Sequence, residues 1–178
     1  VLPTFLEIAG GKPEAMGFDG RSFLRVLDGG SDAHRQFAYA MHNNIPEGPP
    51  YPIRSVTNGR FRYIRNLSPE ALYIEKHIMG SIAHNPYWLS WMWASETDPH
   101  AYAMVRRFMR RPAEELYDTA SDPFELVNLA ADPAHAARQA ALAAELDRWM
   151  AEQGDPGVPL DTQGAFRRNR ESAQESYR

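Results

Sequence analysis

Glu114-Glu115-Leu116-Tyr117-Asp118 and, after a short gap, Asp122-Pro123-Phe124-Glu125-Leu126-Val127-Asn128-Leu129-Ala130 spell out a sequence of elements. Glu115 to Asp118 reads as a short strand and Asp122-Pro123 as a turn. The acidic and apolar segment that follows ends in Asn-Leu-Ala and leads to a second Asp-Pro pair, Asp132-Pro133. An aspartate cap followed by proline in the first turn predicts a long helix there. Leu142, Leu146, Trp149 and Met150 fall on its buried stripe, and Gly154 stops it. Strand, turn and long amphipathic helix predict an α+β fold, a small antiparallel sheet with a packed C-terminal helix.

Upstream, Ile53 to Asn66 carries the clearest local signal. Asn58-Gly59 between two strand-like runs predicts a hairpin, and a two-residue turn there pairs Val56 with Phe61, Arg54 with Tyr63 and Ile53 with Ile64. Opposed residues share a face, so this register puts Arg54 beside the Tyr63 ring. Gln36 to Met41 alternates, with Phe37, Tyr39 and Met41 on one side, and reads as a strand. His42 to Pro52, rich in Pro, is a loop. Asp98-Pro99 opens another helix, with Ala101, Met104, Val105, Phe108 and Met109 as its apolar stripe. Arg106, Arg107, Arg110 and Arg111 sit in its last turns, where positive charge complements the helix dipole, and Pro112 ends it. Ser68 to Trp93 reads as irregular and aromatic. Val1 to Ala9 reads as a helix with Leu2, Phe5, Leu6 and Ala9 on one face, and Ser22 to Leu27 as a short helical segment. Phe166 to Arg178 reads as a frayed polar tail.

The composition is that of a globular protein, 43% hydrophobic and 24% charged over 178 residues. A net charge of −4 argues against a general nucleic-acid binder, although 17 of the 19 basic residues are Arg, whose forks suit oxyanions. Zero Cys excludes disulfides, thiolate catalysis and Cys-based zinc sites. No run of 18 apolar residues is present to span a membrane. The chain opens directly on a helical pattern, without Met, leader or N-cap, as a fragment of a longer protein does.

Five segments, taken in order, resemble the sulfatases. Val1-Leu2-Pro3-Thr4-Phe5-Leu6-Glu7-Ile8-Ala9-Gly10 looks like the helix after their last catalytic elements, and Phe18-Asp19-Gly20-Arg21-Ser22-Phe23-Leu24 is similar to their Asp-Gly-Arg-Ser-Leu turn. Tyr51-Pro52-Ile53-Arg54-Ser55-Val56, Phe61-Arg62-Tyr63-Ile64-Arg65-Asn66-Leu67 and the block from Glu115 to Ala130 resemble their C-terminal subdomain. The combination, from Val1 to Pro156, is most similar to the heparan N-sulfatase branch, the N-sulfoglucosamine sulfohydrolases.

The resemblance implies an enzyme that hydrolyses sulfate ester or sulfamate groups on a saccharide, using formylglycine and a calcium ion. The family makes its formylglycine from a Cys or Ser in a Cys/Ser-x-Pro-x-Arg motif, and this chain has neither form of it. The resemblance therefore implies a C-terminal portion with no catalytic residue, metal ligand or cofactor of its own, inactive alone and joined to an N-terminal catalytic part of the same protein. Residues 1–45 are then the end of the catalytic domain, a helix and strand of the larger α/β layer. Residues 46–156 are the C-terminal subdomain and 157–178 a tail. Family habit implies a periplasmic, secreted or lysosomal enzyme. Without natural cover, Leu2, Phe5 and Leu6 are expected to drive homodimerisation.

Candidate site residues gather where the strand meets the Pro-rich loop, since strand ends commonly present ligand-binding groups. The resemblance turns this loop toward the active-site cleft, where His42, Asn43, Asn44 and Glu47 are expected to hydrogen-bond sugar hydroxyls or an amine. Asn-Asn equally suits turn hydrogen bonds. Arg54 joins this set, since it lies near the loop. Arg60, Arg62 and Arg65 suit either bidentate contacts to a polyanionic glycan or local ion pairs on a solvated face, the reading preferred here. The alternative function they support is a non-catalytic glycan- or polyanion-binding module. Trp88, Trp91 and Trp93 suit sugar stacking or, by preference, a local core under a long loop. Glu114, Glu115, Asp118 and Asp122 read as structural. His77, His84 and His100 lack metal-site spacing.

Overall fold

A computed structural model describes residues 1–44, 48–80, 85–158, 164 and 167–168. The chain forms two compact units, Val1–Phe37 and Ala38–Arg178. The first holds α1 (Leu2–Ile8), a 3-10 turn at Pro13–Met16 and the single-turn α2 (Leu24–Leu27). Thr4 is buried, and its hydroxyl accepts from the Phe23 N–H at 3.1 Å, tying α1 to the start of α2. Leu2, Phe5 and Ile8 are exposed.

The second unit is built on a four-stranded antiparallel sheet in the order β1 (Ala38–His42), β2 (Ile53–Thr57), β3 (Phe61–Asn66), β4 (Glu114–Asp118). The predicted strand before the loop thus joins the hairpin sheet as its outer strand. Between β3 and β4 come α3 (Lys76–Met79), α4 (Pro86–Ser95) and α5 (Pro99–Met109). After β4, a 3-10 turn at Pro133–His135 leads into α6 (Ala136–Glu152). The two Asp-Pro starts behave as read. The Asp98 carboxylate accepts from the His100 N–H at 2.8 Å, and Asp132 accepts from the Ala134 N–H at 2.9 Å.

The hairpin exists, but its register differs from the expectation. Val56 faces Tyr63, Arg54 faces Arg65 and Ile53 faces Asn66. The chain reverses on Gly59 and Arg60 instead of Asn58 and Gly59. Gly59 stands at φ +92°, the first central position where a type II′ turn needs glycine. The Asn58 carboxamide oxygen accepts from the N–H groups of Arg60 (3.1 Å) and Phe61 (2.8 Å), which recruits Asn58 into the ladder. A shift of two residues preserves the faces, so Arg54 stays on the side of Tyr63 without opposing it.

That side is the core. Val56, Phe61, Tyr63 and Leu116 are buried, and α6 lies across β2 and β3 and buries Leu142 and Leu146. The other face, with Ile64, Glu115 and Tyr117, looks onto α4 and α5 across a cavity of about 550 Å³ lined also by Trp91, Met104 and Phe108.

Ser68 to Trp93 is not irregular throughout: α4 occupies its second half. Tyr87, Trp88, Leu89, Trp91, Met92 and Trp93 surround this helix on all sides, so no one-sided apolar stripe marks it in the sequence. Nor do the tryptophans form a core. No α4 residue is buried, and Trp93 is 73% exposed.

Candidate functional site

The end of β1 is the place to which the sequence directs attention. His42 closes the strand and is exposed; its Nε2 lies 3.2 Å from the Tyr73 hydroxyl, with the two rings edge to face. Tyr73 is buried among Tyr51, Phe108 and the Arg111 guanidinium, and that burial raises its phenol above the ordinary value. Asn43 follows, half-buried. Asn44 is turned inward at φ +60°, and its N–H₂ donates to the carbonyls of Pro49 and Ile74, both at 2.8 Å. A glycine is required beside it: a Cβ on Gly48 would stand 2.3 Å from the Ile74 oxygen. Asn44 therefore spends its amide on the loop, as the turn reading has it. Glu47 lies outside the described residues.

Arg54 sits wholly inside, 0% exposed. Its Nε donates to Asp155 Oδ2 at 2.5 Å and Nη2 to Asp155 Oδ1 at 3.2 Å, a bidentate pair. Nη1 donates to Asn43 Oδ1 at 2.7 Å and to the Ile53 carbonyl at 2.9 Å. Every described contact of this guanidinium is internal, so its place is behind the loop and not on its surface. The guanidinium, in turn, holds the Asp155 carboxyl below the usual range, against the opposing effect of burial. Asp155 and Tyr73 are the two participants that the sequence reading missed. The turn signal Gly154-Asp155-Pro156-Gly157 after the helix marked a stop, and nothing in it pointed a hundred residues back to β2.

The other basic hairpin residues are paired. Arg60 meets Asp118 at 2.7 Å, Arg62 meets Glu125 at 2.7 Å, and Arg65 meets Asp147. The preferred ion-pair reading describes these three residues. The acidic residues of β4 are structural in the same way. Glu114 accepts from the Tyr63 hydroxyl, and buried Glu115 accepts from Asn66 at 2.7 Å and from the Tyr117 hydroxyl. Tyr63 is pushed up to about 12, by burial first and the Glu114 bond second. Among the described residues no group of three or more His, Asp or Glu side chains is placed to hold a metal ion, and no helix is long and apolar enough to cross a membrane.

No protein-family model matches the chain. An ulvan-active sulfatase of Formosa agariphila is 35% identical in an alignment of 175 residues that covers 91% of this chain and 31% of that protein. N-sulphoglucosamine sulphohydrolase of Homo sapiens is 28% identical in an alignment of 146 residues that covers 78% of this chain and 27% of that one. Among solved structures, a 2-O GAG sulfatase aligns with a TM-score of 0.54 at 21% identity, over 87% of this chain and 24% of the other. An enzyme solved in complex with its substrate, D-glucosamine-2-N,6-O-disulfate, aligns with a TM-score of 0.53 at 19% identity, over 86% of this chain and 24% of the other. The architecture, helices with a four-stranded antiparallel sheet, matches the fold of part of these sulfatase structures. The homologues of this chain are sulfatases, and the share of their length that it spans is consistent with a C-terminal part of such enzymes. The chain spans under a third of the length of the curated relatives it matches, 31% and 27% of the two described. The N-sulphoglucosamine sulphohydrolase branch named from the motifs is among these relatives.

Proposed function

We propose that this chain is the C-terminal portion of an enzyme that hydrolyses sulfate ester or sulfamate groups on a sulfated saccharide. Within it, the end of β1 forms part of the rim that receives the sugar. The observation that carries the reading is the 35% identity, over 91% of the chain, to an ulvan-active sulfatase. At the rim, His42 and Asn43 meet the saccharide, Asn44 shapes the loop, Arg54 braces it from behind, and Glu47 completes the set from outside the described residues.

Formylglycine and calcium, which the family implies, do not fit the residues present. The chain has no Cys and no Ser-x-Pro-x-Arg, and among the described residues no three His, Asp or Glu side chains gather to hold a metal ion. The reacting groups therefore belong to an N-terminal catalytic part of the same protein, and the 178 residues alone are inactive. The same reading includes a homodimer contact through the exposed Leu2 and Phe5, and a location in the periplasm, outside the cell or in the lysosome.

The test is sulfate release by the product of the complete reading frame, assayed on ulvan oligosaccharides and on N- and O-sulfated glucosamine. Release from any of these supports the reading, and its absence from all of them overturns it. Turnover by the 178-residue chain alone overturns the division of labour.

A further inference from the structure

We infer that Arg54, held by Asp155, fixes the amide of Asn43 with its oxygen inward and its N–H₂ outward, so that the rim selects an acceptor oxygen of an anionic group on the saccharide. The inference rests on the saccharide reading of the rim given above. Arginine has five N–H donors and no acceptor. The Asn43 atom 2.7 Å from Arg54 Nη1 is therefore its carbonyl oxygen. Oxygen and nitrogen branch from the same carbon, so pinning the first against Arg54 directs the second away from the guanidinium. Turning the amide over would set N–H against N–H beside a buried cation, and neither group can accept from the other.

Arg54 has little freedom to release the amide. Asp155 occupies its Nε and Nη2, and the Ile53 carbonyl shares its Nη1. Asp155 is itself fixed by the turn that ends α6. Gly154 stands at φ +63°, the Asp155 N–H donates to the Met150 carbonyl at 2.9 Å, and Asp155 Oδ1 accepts from the Gly157 N–H at 2.9 Å. A line of bonded groups thus runs from the end of α6 through Asp155 and Arg54 to Asn43. Arg54 and Asp155 are positioning residues, and Asn43 is the group that faces the ligand. Among the described residues none accepts from the Asn43 N–H₂. A sulfate or carboxylate oxygen, which carries no proton, complements it.

The test compares variants of the enzyme expressed from its complete reading frame, on a sulfated saccharide that it turns over. Asn43→Asp keeps an oxygen against Arg54 and exchanges the outward N–H₂ for a second carboxylate oxygen at nearly equal volume. KM is expected to rise about tenfold or more, with kcat changed by less than about threefold. Asn43→Ala removes the donor without adding a charge and is expected to raise KM less than Asn43→Asp does. Asp155→Asn loosens Arg54 and is expected to raise KM in the wild-type Asn43 background and to add little in the Asn43→Ala background. If Asn43→Asp binds no worse than Asn43→Ala while Asn43→Ala binds worse than wild type, the fixed amide orientation is overturned. If His42→Ala and Asn43→Ala both leave KM unchanged, the rim reading itself fails. Should Asp155→Asn not fold, the two Asn43 variants still decide the orientation.

Discussion

Tyr39 of β1 and Trp149 of α6 stack face to face, with ring centroids 4.8 Å apart and planes 3° from parallel. The Tyr39 hydroxyl also donates to Glu145 one turn back along the same helix. β1 is an outer strand, paired on one side by β2 alone, and outer strands depend on such side-chain fastening. Trp149→Ala is expected to cost about 2 kcal/mol, less than for a fully buried tryptophan. A double-mutant cycle with Tyr39→Leu should return a coupling of about 1 kcal/mol in urea unfolding. Strict additivity would mean that the stacked pair does not fasten the strand.

The Arg54–Asp155 pair gives the fold an acid limb. The folded Asp155 carboxyl lies below its ordinary value because of the guanidinium beside it. A depressed carboxyl stabilises the fold at pH values above its unfolded pKa, and that stability is lost as pH falls through the depressed folded value. Unfolding midpoints measured from neutral pH down to below the usual carboxylate range should therefore fall on acidification. Asp155→Asn should remove that contribution and leave Arg54 buried without its charge partner, at a cost of about 3 kcal/mol at neutral pH. An acid limb unchanged in Asp155→Asn would place its origin in other carboxylates.

The hairpin turn makes a sharper claim about a single residue. Gly59 has open space where a Cβ would go, so sterics with neighbours do not demand glycine there. Its φ of +92° does. Gly59→Ala is expected to destabilise by about 1 kcal/mol or more through the backbone alone. Gly59→Asn, a residue that tolerates positive φ better, should cost less than Gly59→Ala. Equal costs would indicate that the turn rebuilds around the two-residue Asn58-Gly59 loop that the sequence first suggests.

Much of this architecture was legible because it depends on local chemistry. Asp98 and Asp132 cap where an aspartate before proline should, and Leu142 and Leu146 are buried where the stripe places them. The misses have different causes, and only the one at Arg54 comes from a partner distant in sequence. Arg54 reads as a free cation next to a loop until Asp155 arrives beside it, and Asn58 shifts the register by capping its own turn. The helix α4 has no polar side to betray its period. At the rim, residue types and position along the chain were readable, whereas orientation was not: only the contact with Arg54 shows which way Asn43 turns.

That same α4 carries a solution prediction. Tyr87, Leu89, Trp91, Met92 and Trp93 are all exposed on one short helix, a larger apolar display than a monomer normally leaves in water. The 178-residue chain alone is expected to self-associate at micromolar concentration, and Trp93→Glu with Leu89→Lys should shift it toward monomer in sedimentation velocity. A wild-type chain that is monomeric at the highest accessible concentration would contradict this.

The Asn-Leu-Ala segment makes the last prediction, and it explains why the acidic-apolar block follows β4 so closely. β4 is the other outer strand, and its open edge is covered by this segment. Asn128 Oδ1 accepts from the Leu116 N–H at 2.9 Å, the Leu129 N–H donates to the Leu116 carbonyl at 2.8 Å, and the Asn128 amide reaches the Glu114 carbonyl at 3.2 Å. A side chain thus supplies the acceptor that a fifth strand would otherwise provide. Leu116 is 0% exposed, so removing that acceptor leaves a buried N–H without a partner. Asn128→Ala is expected to cost about 2 kcal/mol, and Asn128→Asp less, because an acceptor oxygen remains. Hydrogen exchange gives the local readout: the Leu116 amide should lose protection in Asn128→Ala beyond the global destabilisation, while the Tyr63 amide of β3 should follow the global change alone. Equal loss at both amides would mean that Asn128 stabilises the domain as a whole, without sealing this edge.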